Sequence, residues 1–253
     1  MPMTVEPVPP DSLHRPDPAH PERLLGCPRA RASLTAAAMH GALRAFVLDP
    51  QHPCVGAKSA FHGGSYRLGV YDRLGGPAAT AALARDLATF VAEADADSPA
   101  FTTFAAMFEE PRSCDEIGFE RALWAQLQAL HDVDAAAWDP GVSADPGDPR
   151  FAFSFAGTGF FVVGMHPGSA RLSRRFPWPT LIFNPHAQFE RLREVGKYAR
   201  MQSVIRDRDR ALQGDTNATL ADFGSASAAS QYSGRAAPPG WRPPFHPHPG
   251  PRS

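Results

Sequence analysis

Residues 160–176 read FFVVGMHPGSARLSRRF: an apolar, strand-like run stops at His166-Pro167, and Arg171, Arg174 and Arg175 follow within ten residues. A neutral imidazole is a metal ligand or a proton carrier near neutral pH. Arginines three and four apart share one side of a helical coil, and like charges crowded there call for an anion between them. A carboxylate held bidentately or a phosphate would serve. Three further residues carry ligand or acid–base chemistry: His131 on a helix, His186 in NPHAQFE, and Cys54 in HPCVGAK, close to Lys58. Each also has a purely structural role open to it. A histidine suits a helix C-terminus, as His131 would, or a first turn capped by Asn184, as His186 would. His166 can be a satisfied loop histidine and Cys54 a small buried apolar residue. A basic loop can simply pair with surface carboxylates. The sequence contains no HExxH, no CxxC pair, no GxSxG elbow and no glycine-rich phosphate loop between a strand and a helix.

These residues need a scaffold, and the apolar periodicity supplies one. Residues 33–47 are Ala-rich behind Ser33, a helix with that serine as N-cap. Residues 49–64 read as a loop and 65–72 as an alternating strand. Leu83, Leu87, Phe90 and Val91 put one apolar face on a helix over 76–95. A strand over 98–108 precedes a helix over 114–134, where Phe119, Leu123, Leu127 and Leu130 recur at helical spacing behind Asp115 and Glu116. Strands 150–155 and 159–165 meet in a tight hairpin at Ala156-Gly157-Thr158; 179–185 is a third strand, and 186–213 is helical. The fold class expected is α+β, a single domain with a central, mostly antiparallel sheet packed against helices. Prolines crowd both ends, so residues 1–30 read as an N-terminal arm, 31–235 as the domain and 236–253 as a C-terminal tail.

The 253 residues carry 25 Lys and Arg against 26 Asp and Glu, a formal net charge of -1, which gives no reason to expect nucleic acid or a membrane surface as partner. No apolar run approaches the roughly 20 residues needed to span a bilayer, and no signal peptide is evident. Cys27, Cys54 and Cys114 are an odd, widely spaced set that suits a reducing compartment, so a cytoplasmic location is expected.

Five stretches carry a resemblance to a known family: HPCVGAKSAF (52–61), residues 119–176 through GFFVVGMHPGSARLSRRF, LIFNPHAQFERLR (181–193), IRDRDRALQG (205–214) and ADFGSASAASQYSGR (221–235). Together they resemble the YqcI/YcgG family, in particular its branch of GntA-type heme-dependent guanidine N-hydroxylases, over about residues 50–235. The resemblance implies heme b, dioxygen or peroxide as oxidant with an electron donor where dioxygen is used, and a small guanidino substrate such as arginine. On that reading His166 is the expected iron ligand, with His131, His186 and Cys54 as alternatives, and Cys54 would make a thiolate enzyme. Arg171, Arg174 and Arg175 would hold the propionates beside the apolar wall of Phe160, Phe161 and Val163. Asp134, Asp139, Asp145 and Glu190 are the candidate partners of a guanidinium. Two other classes stay open: a heme-binding module without turnover, and a heme-free protein that uses the arginines for an anionic ligand.

Overall fold

The computed structural model describes residues 12–26, 34–94, 100–215, 227–238 and 240–248. Seven strands form one sheet in the order β2-β1-β3-β4-β7-β6-β5. They are β1 (Leu13–Pro16), β2 (Leu24–Gly26), β3 (Tyr66–Arg73), β4 (Thr103–Glu110), β5 (Phe153–Phe155), β6 (Thr158–Met165) and β7 (Thr180–Pro185). Only β3 and β4 run parallel; every other pair is antiparallel. The parallel pair needs a crossover, and α3 (Pro77–Glu93) provides it. The expected α+β domain with a mostly antiparallel sheet is the one observed.

The central strand β4 explains why the sheet is covered on both sides. Its run TFAAMF is apolar without alternation and wholly buried, the pattern of a strand packed on two faces. Phe104, Ala106 and Phe108 join the core under α3 and α4 (Glu116–Val133), whereas Ala105 and Met107 join a second core with Met39, Leu43 and Phe61. That second core belongs to α1 (Leu34–Leu48) and α2 (Val55–Gly63). Each fully buried Leu or Phe in these clusters stabilises the fold by about 1.5–3 kcal/mol relative to exposure.

Local signals set the boundaries. Asp115 caps α4, its Oδ1 accepting from Gly118 N–H at 2.7 Å. Pro77 at the start of α3 presets the helical φ. The β5–β6 turn has Ala156 at φ 50° and Gly157 at φ 73°, the left-handed pair of a two-residue hairpin. The stretch expected to be a loop, 49–64, instead contains α2. Its start is capped by the Cys54 thiol and its end by Gly64 in the left-handed region, signals that one short helix hides among its small residues. The strand expected from residue 98 begins at Thr103; residues 95–99 and the expected cap Ser33 lie outside the described residues.

The N-terminal arm is not merely draped over the domain. Leu13–Pro16 adds to the edge of β3 and then pairs with Leu24–Gly26. The anchor is Asp86 in α3, buried at 1% exposure, whose Oδ2 accepts from Ser12 N–H at 3.2 Å, Ser12 Oγ–H at 2.8 Å and Tyr71 Oη–H at 2.9 Å. Asp86→Ala leaves these donors unpaired and is expected to cost about 2–3 kcal/mol in urea unfolding, with protease sensitivity appearing first before residue 26. The C-terminal segment is likewise fixed: Phe245 is buried, and Trp241 Nε1–H donates to Glu120 Oε1 at 3.2 Å. Among the described residues no helix is long and apolar enough to cross a membrane.

Candidate functional site

On the α1–α2 face of the sheet, strands β6 and β7 carry no continuous helical cover. Above them lies a cavity of about 280 Å³, near the lower end of small-molecule sites. Phe161, Val163 and Met165 of β6, Ile182 and Asn184 of β7, and Thr103 of β4 form its floor. One wall is the α1–α2 side, with His52, Cys54 and Phe61. The other is α5 (His186–Glu194) and α6 (Tyr198–Gln213), which contribute His186, Phe189, Tyr198, Met201 and Ile205. Among described positions α5 fully buries only Gln188 and α6 only Asp209. Phe189 of α5 and Tyr198, Met201 and Ile205 of α6 face the cavity.

Three side chains of ligand chemistry face this space: Cys54, His52 and His186. Cys54 is held by its position in the chain, because as the N-cap of α2 its Sγ accepts from Ala57 N–H at 3.4 Å. Burial pushes its pKa up, against the pull of the Ala57 and Gly56 amides and of the nearby Arg174 and Lys58. A thiolate here is costly alone and well placed for a cation, since the helix N-terminus and amide favour the anion once a metal shares its charge. His52, two residues earlier, packs edge-on against Phe46 at 5.1 Å, and burial followed by Lys58 lowers its pKa to about 4. His186 lies 3.5 Å from Glu190; burial is the main cause of its lowered pKa.

The expected arginine cluster divides. Arg174 alone lines the cavity. Its guanidinium donates to the carbonyls of Gly164 (3.1 Å), Tyr232 (3.3 Å) and Gln231 (3.2 Å), and burial lowers its pKa to about 10. Those hydrogen-bond partners are neutral, and the nearby charge of Asp209 offsets part of the cost of burying this cation. Arg171 is taken up by Asp209 and Asp215, and Arg175 by the Ser169 and Ala170 carbonyls. Arg174→Met should strand three carbonyls and cost about 2–4 kcal/mol in urea unfolding, while Arg174→Lys recovers only part, having no fork to reach three acceptors.

His166 is placed away from the cavity. Its ring stacks on Phe119 at 4.3 Å, and its Nδ1 lies 3.8 Å from Cys114 Sγ. Backbone bonds to Arg174 O and from Phe176 N–H fix it where β6 ends. His131 lies at the end of α4, stacked on His248 at 3.9 Å and accepting from its N–H. The four carboxylates are also engaged elsewhere. Asp134 accepts from Ala136 and Ala156 N–H, Asp139 from Gly141 and Gly159 N–H, and Asp145 from Gly147 N–H, the turn chemistry of Asp. Glu190 pairs with Arg193. Asn184 is no helix cap; its Nδ2 donates to Phe161 O. Of the expected set the structure brings together Cys54, Phe161, Arg174 and His186. It adds His52, Asn184 and the stripe Tyr198, Met201 and Ile205. The i, i+3, i+7 spacing of that stripe was the one readable signal for it.

The fold and site define a single α+β domain with a partly open cavity between sheet and helices. The chain belongs to the YqcI/YcgG family, whose model matches residues 43–246 and so includes the whole cavity lining. It is similar to uncharacterized protein YcgG of Bacillus subtilis (strain 168), 27% identical over 165 residues, covering 62% of this chain and 64% of that one. It is also similar to uncharacterized protein YqcI of the same organism, 33% identical over 92 residues, 36% of each. Each match spans less than two thirds of the relative's length. No solved structure matches the chain.

Proposed function

We propose that the cavity is a heme site and that the protein is a heme-dependent oxidoreductase acting on a nitrogen of a small molecule, a guanidine being the leading class. The observation that carries this reading is Cys54: a cysteine at a helix N-terminus, facing a cavity with an apolar floor that is also lined by the carbonyl-paired Arg174. Those residues fit the group. Cys54 would supply the axial thiolate, Arg174 would meet a propionate, and Phe161, Val163, Met165 and Phe61 would cover the macrocycle and exclude water. Bound there, the heme would supply oxygen-transfer chemistry; the protein's part is ligation, orientation and dryness.

The same lining bears on the substrate. A protonated guanidinium has no nucleophilic lone pair, and Asp209, the carboxylate in the lining, is committed to Arg171 and Ser173. A cavity lined by Arg174, Arg193 and Arg206 and without a free carboxylate among the described residues favours the neutral guanidine, the form that can be oxidised. Gln202 is a neutral polar partner for it in the lining. The buried charge of Arg174 also supports a second reading, a heme-free site for an anionic ligand.

The test is a visible spectrum of protein produced with a heme precursor, followed by titration with arginine and related guanidines. A Soret band that shifts on adding a guanidine supports the proposal. A protein that stays colourless after hemin titration rejects it and leaves the anion reading.

A further inference from the structure

Behind the cavity wall lies a polar cluster that ligand binding does not use. Phe61 lines the cavity, and Tyr66 stacks flat on its other side, centroids 4.0 Å apart and planes at 6°. Tyr66 and His40 are both fully buried, and Tyr66 Oη lies 2.7 Å from His40 Nε2. Arg44 Nη1 approaches the same oxygen at 3.3 Å. A guanidinium can only donate, so the phenol oxygen accepts from Arg44 and its single proton points to His40 Nε2. The Nδ1 atom of His40 then carries the ring proton. Burial, with Arg44 and His14 as lesser causes and a backbone bond at Glu22 opposing them, lowers the pKa of His40 to about 4, so the ring is neutral and its Nε2 lone pair faces the phenolic proton.

We propose that Tyr66 and His40 form a redox relay of the cavity: Tyr66 gives up an electron through Phe61 while its phenolic proton crosses to His40 Nε2. This inference rests on the cavity being a heme site. The oxidant is one produced there from hydrogen peroxide. Each event leaves Tyr66 as a neutral phenoxyl and His40 as imidazolium. Ascorbate, a one-electron donor, re-reduces Tyr66, which takes its proton back from His40. Two such electrons and two solvent protons reduce one hydrogen peroxide to two waters. The relay would discharge oxidising equivalents formed when no substrate is present.

Other buried tyrosines lack one of the two requirements. Tyr232 touches the cavity residue Phe161 at 5.7 Å, but its hydroxyl donates to the Phe160 carbonyl, which is not a base. Tyr71 has a base in Asp86 yet belongs to the core on the opposite face of the sheet. Tyr66 combines contact with the cavity wall and a proton acceptor.

The experiment is freeze-quench electron paramagnetic resonance of the hemin-loaded protein mixed with hydrogen peroxide, with ring-deuterated tyrosine to identify the radical. The expected result is a tyrosyl signal that narrows on deuteration and is lost in Tyr66→Phe. His40→Gln, which keeps a hydrogen-bonding side chain but no base, should also lose it. The Soret band of each variant should be unchanged, which separates loss of the relay from loss of heme or of the fold. A tyrosyl signal that survives Tyr66→Phe, or a tryptophanyl signal in its place, overturns the relay while leaving the heme reading intact. If the wild-type protein takes up no hemin, the heme reading falls and takes the relay with it.

Discussion

If Cys54 is the axial ligand proposed above, Cys54→Ser is expected to weaken heme retention by more than about 100-fold, because even outer-shell partners of a metal ligand are worth 10–100-fold. Serine keeps the N-cap of α2, since its hydroxyl accepts from the Ala57 amide as readily as the thiol does. The helix should therefore remain, and the lost Soret intensity reports ligation rather than folding. Cys54→His offers imidazole in place of thiolate and should restore colour with a blue-shifted ferrous–carbonyl band. His166→Ala should leave the Soret band in place, since that ring packs on Phe119 away from the cavity. A band that survives Cys54→Ser and disappears in His186→Ala or His52→Phe would transfer the ligand role to that histidine.

The placement of His166 shows what a linear reading can and cannot carry. That His166 ends a buried strand, and that arginines follow, is legible because β6 and the turn after it are local. What each face packs against is not. Alternation along β6 puts Phe161, Val163 and Met165 on the cavity side and leaves His166 to the opposite face, where its ring packs on Phe119 of α4. The same limit applies to the arginines. Their spacing is visible, but Arg171 is neutralised by Asp209 and Asp215, 38 and 44 residues away, so only the tertiary fold decides that Arg174 alone of the three lines the cavity. The Asp residues of 134–145 were legible as turn formers and serve as such. Cys54 was visible as a cysteine in a loop near a lysine, whereas its place on the cavity wall depends on α2, a nine-residue helix rich in Gly, Ala and Ser that periodicity does not flag.

The ligand-free protein should lose stability steeply between pH 6.5 and about 4, before most carboxylates titrate. His40 and His52 are both buried, and burial lowers each from 6.5 to about 4. Below pH 6.5 the unfolded chain binds a proton at each position that the native protein refuses, so ν for the unfolded state exceeds that for the native state and stability falls with pH. The stabilisation is thus complete above pH 6.5 and lost as pH approaches the folded value. Each histidine contributes about 1.4 kcal/mol per pH unit, roughly 3 kcal/mol over the window. His14, His131, His166 and His186 shift in the same direction and add to the slope. Urea unfolding at half-unit steps from pH 7 to 4 measures the slope directly, and His40→Gln with His52→Phe should flatten it by removing two of the proton sites. A slope unchanged in that double variant would mean that the two rings bind their protons equally in the native and unfolded chains, which overturns the burial argument for both.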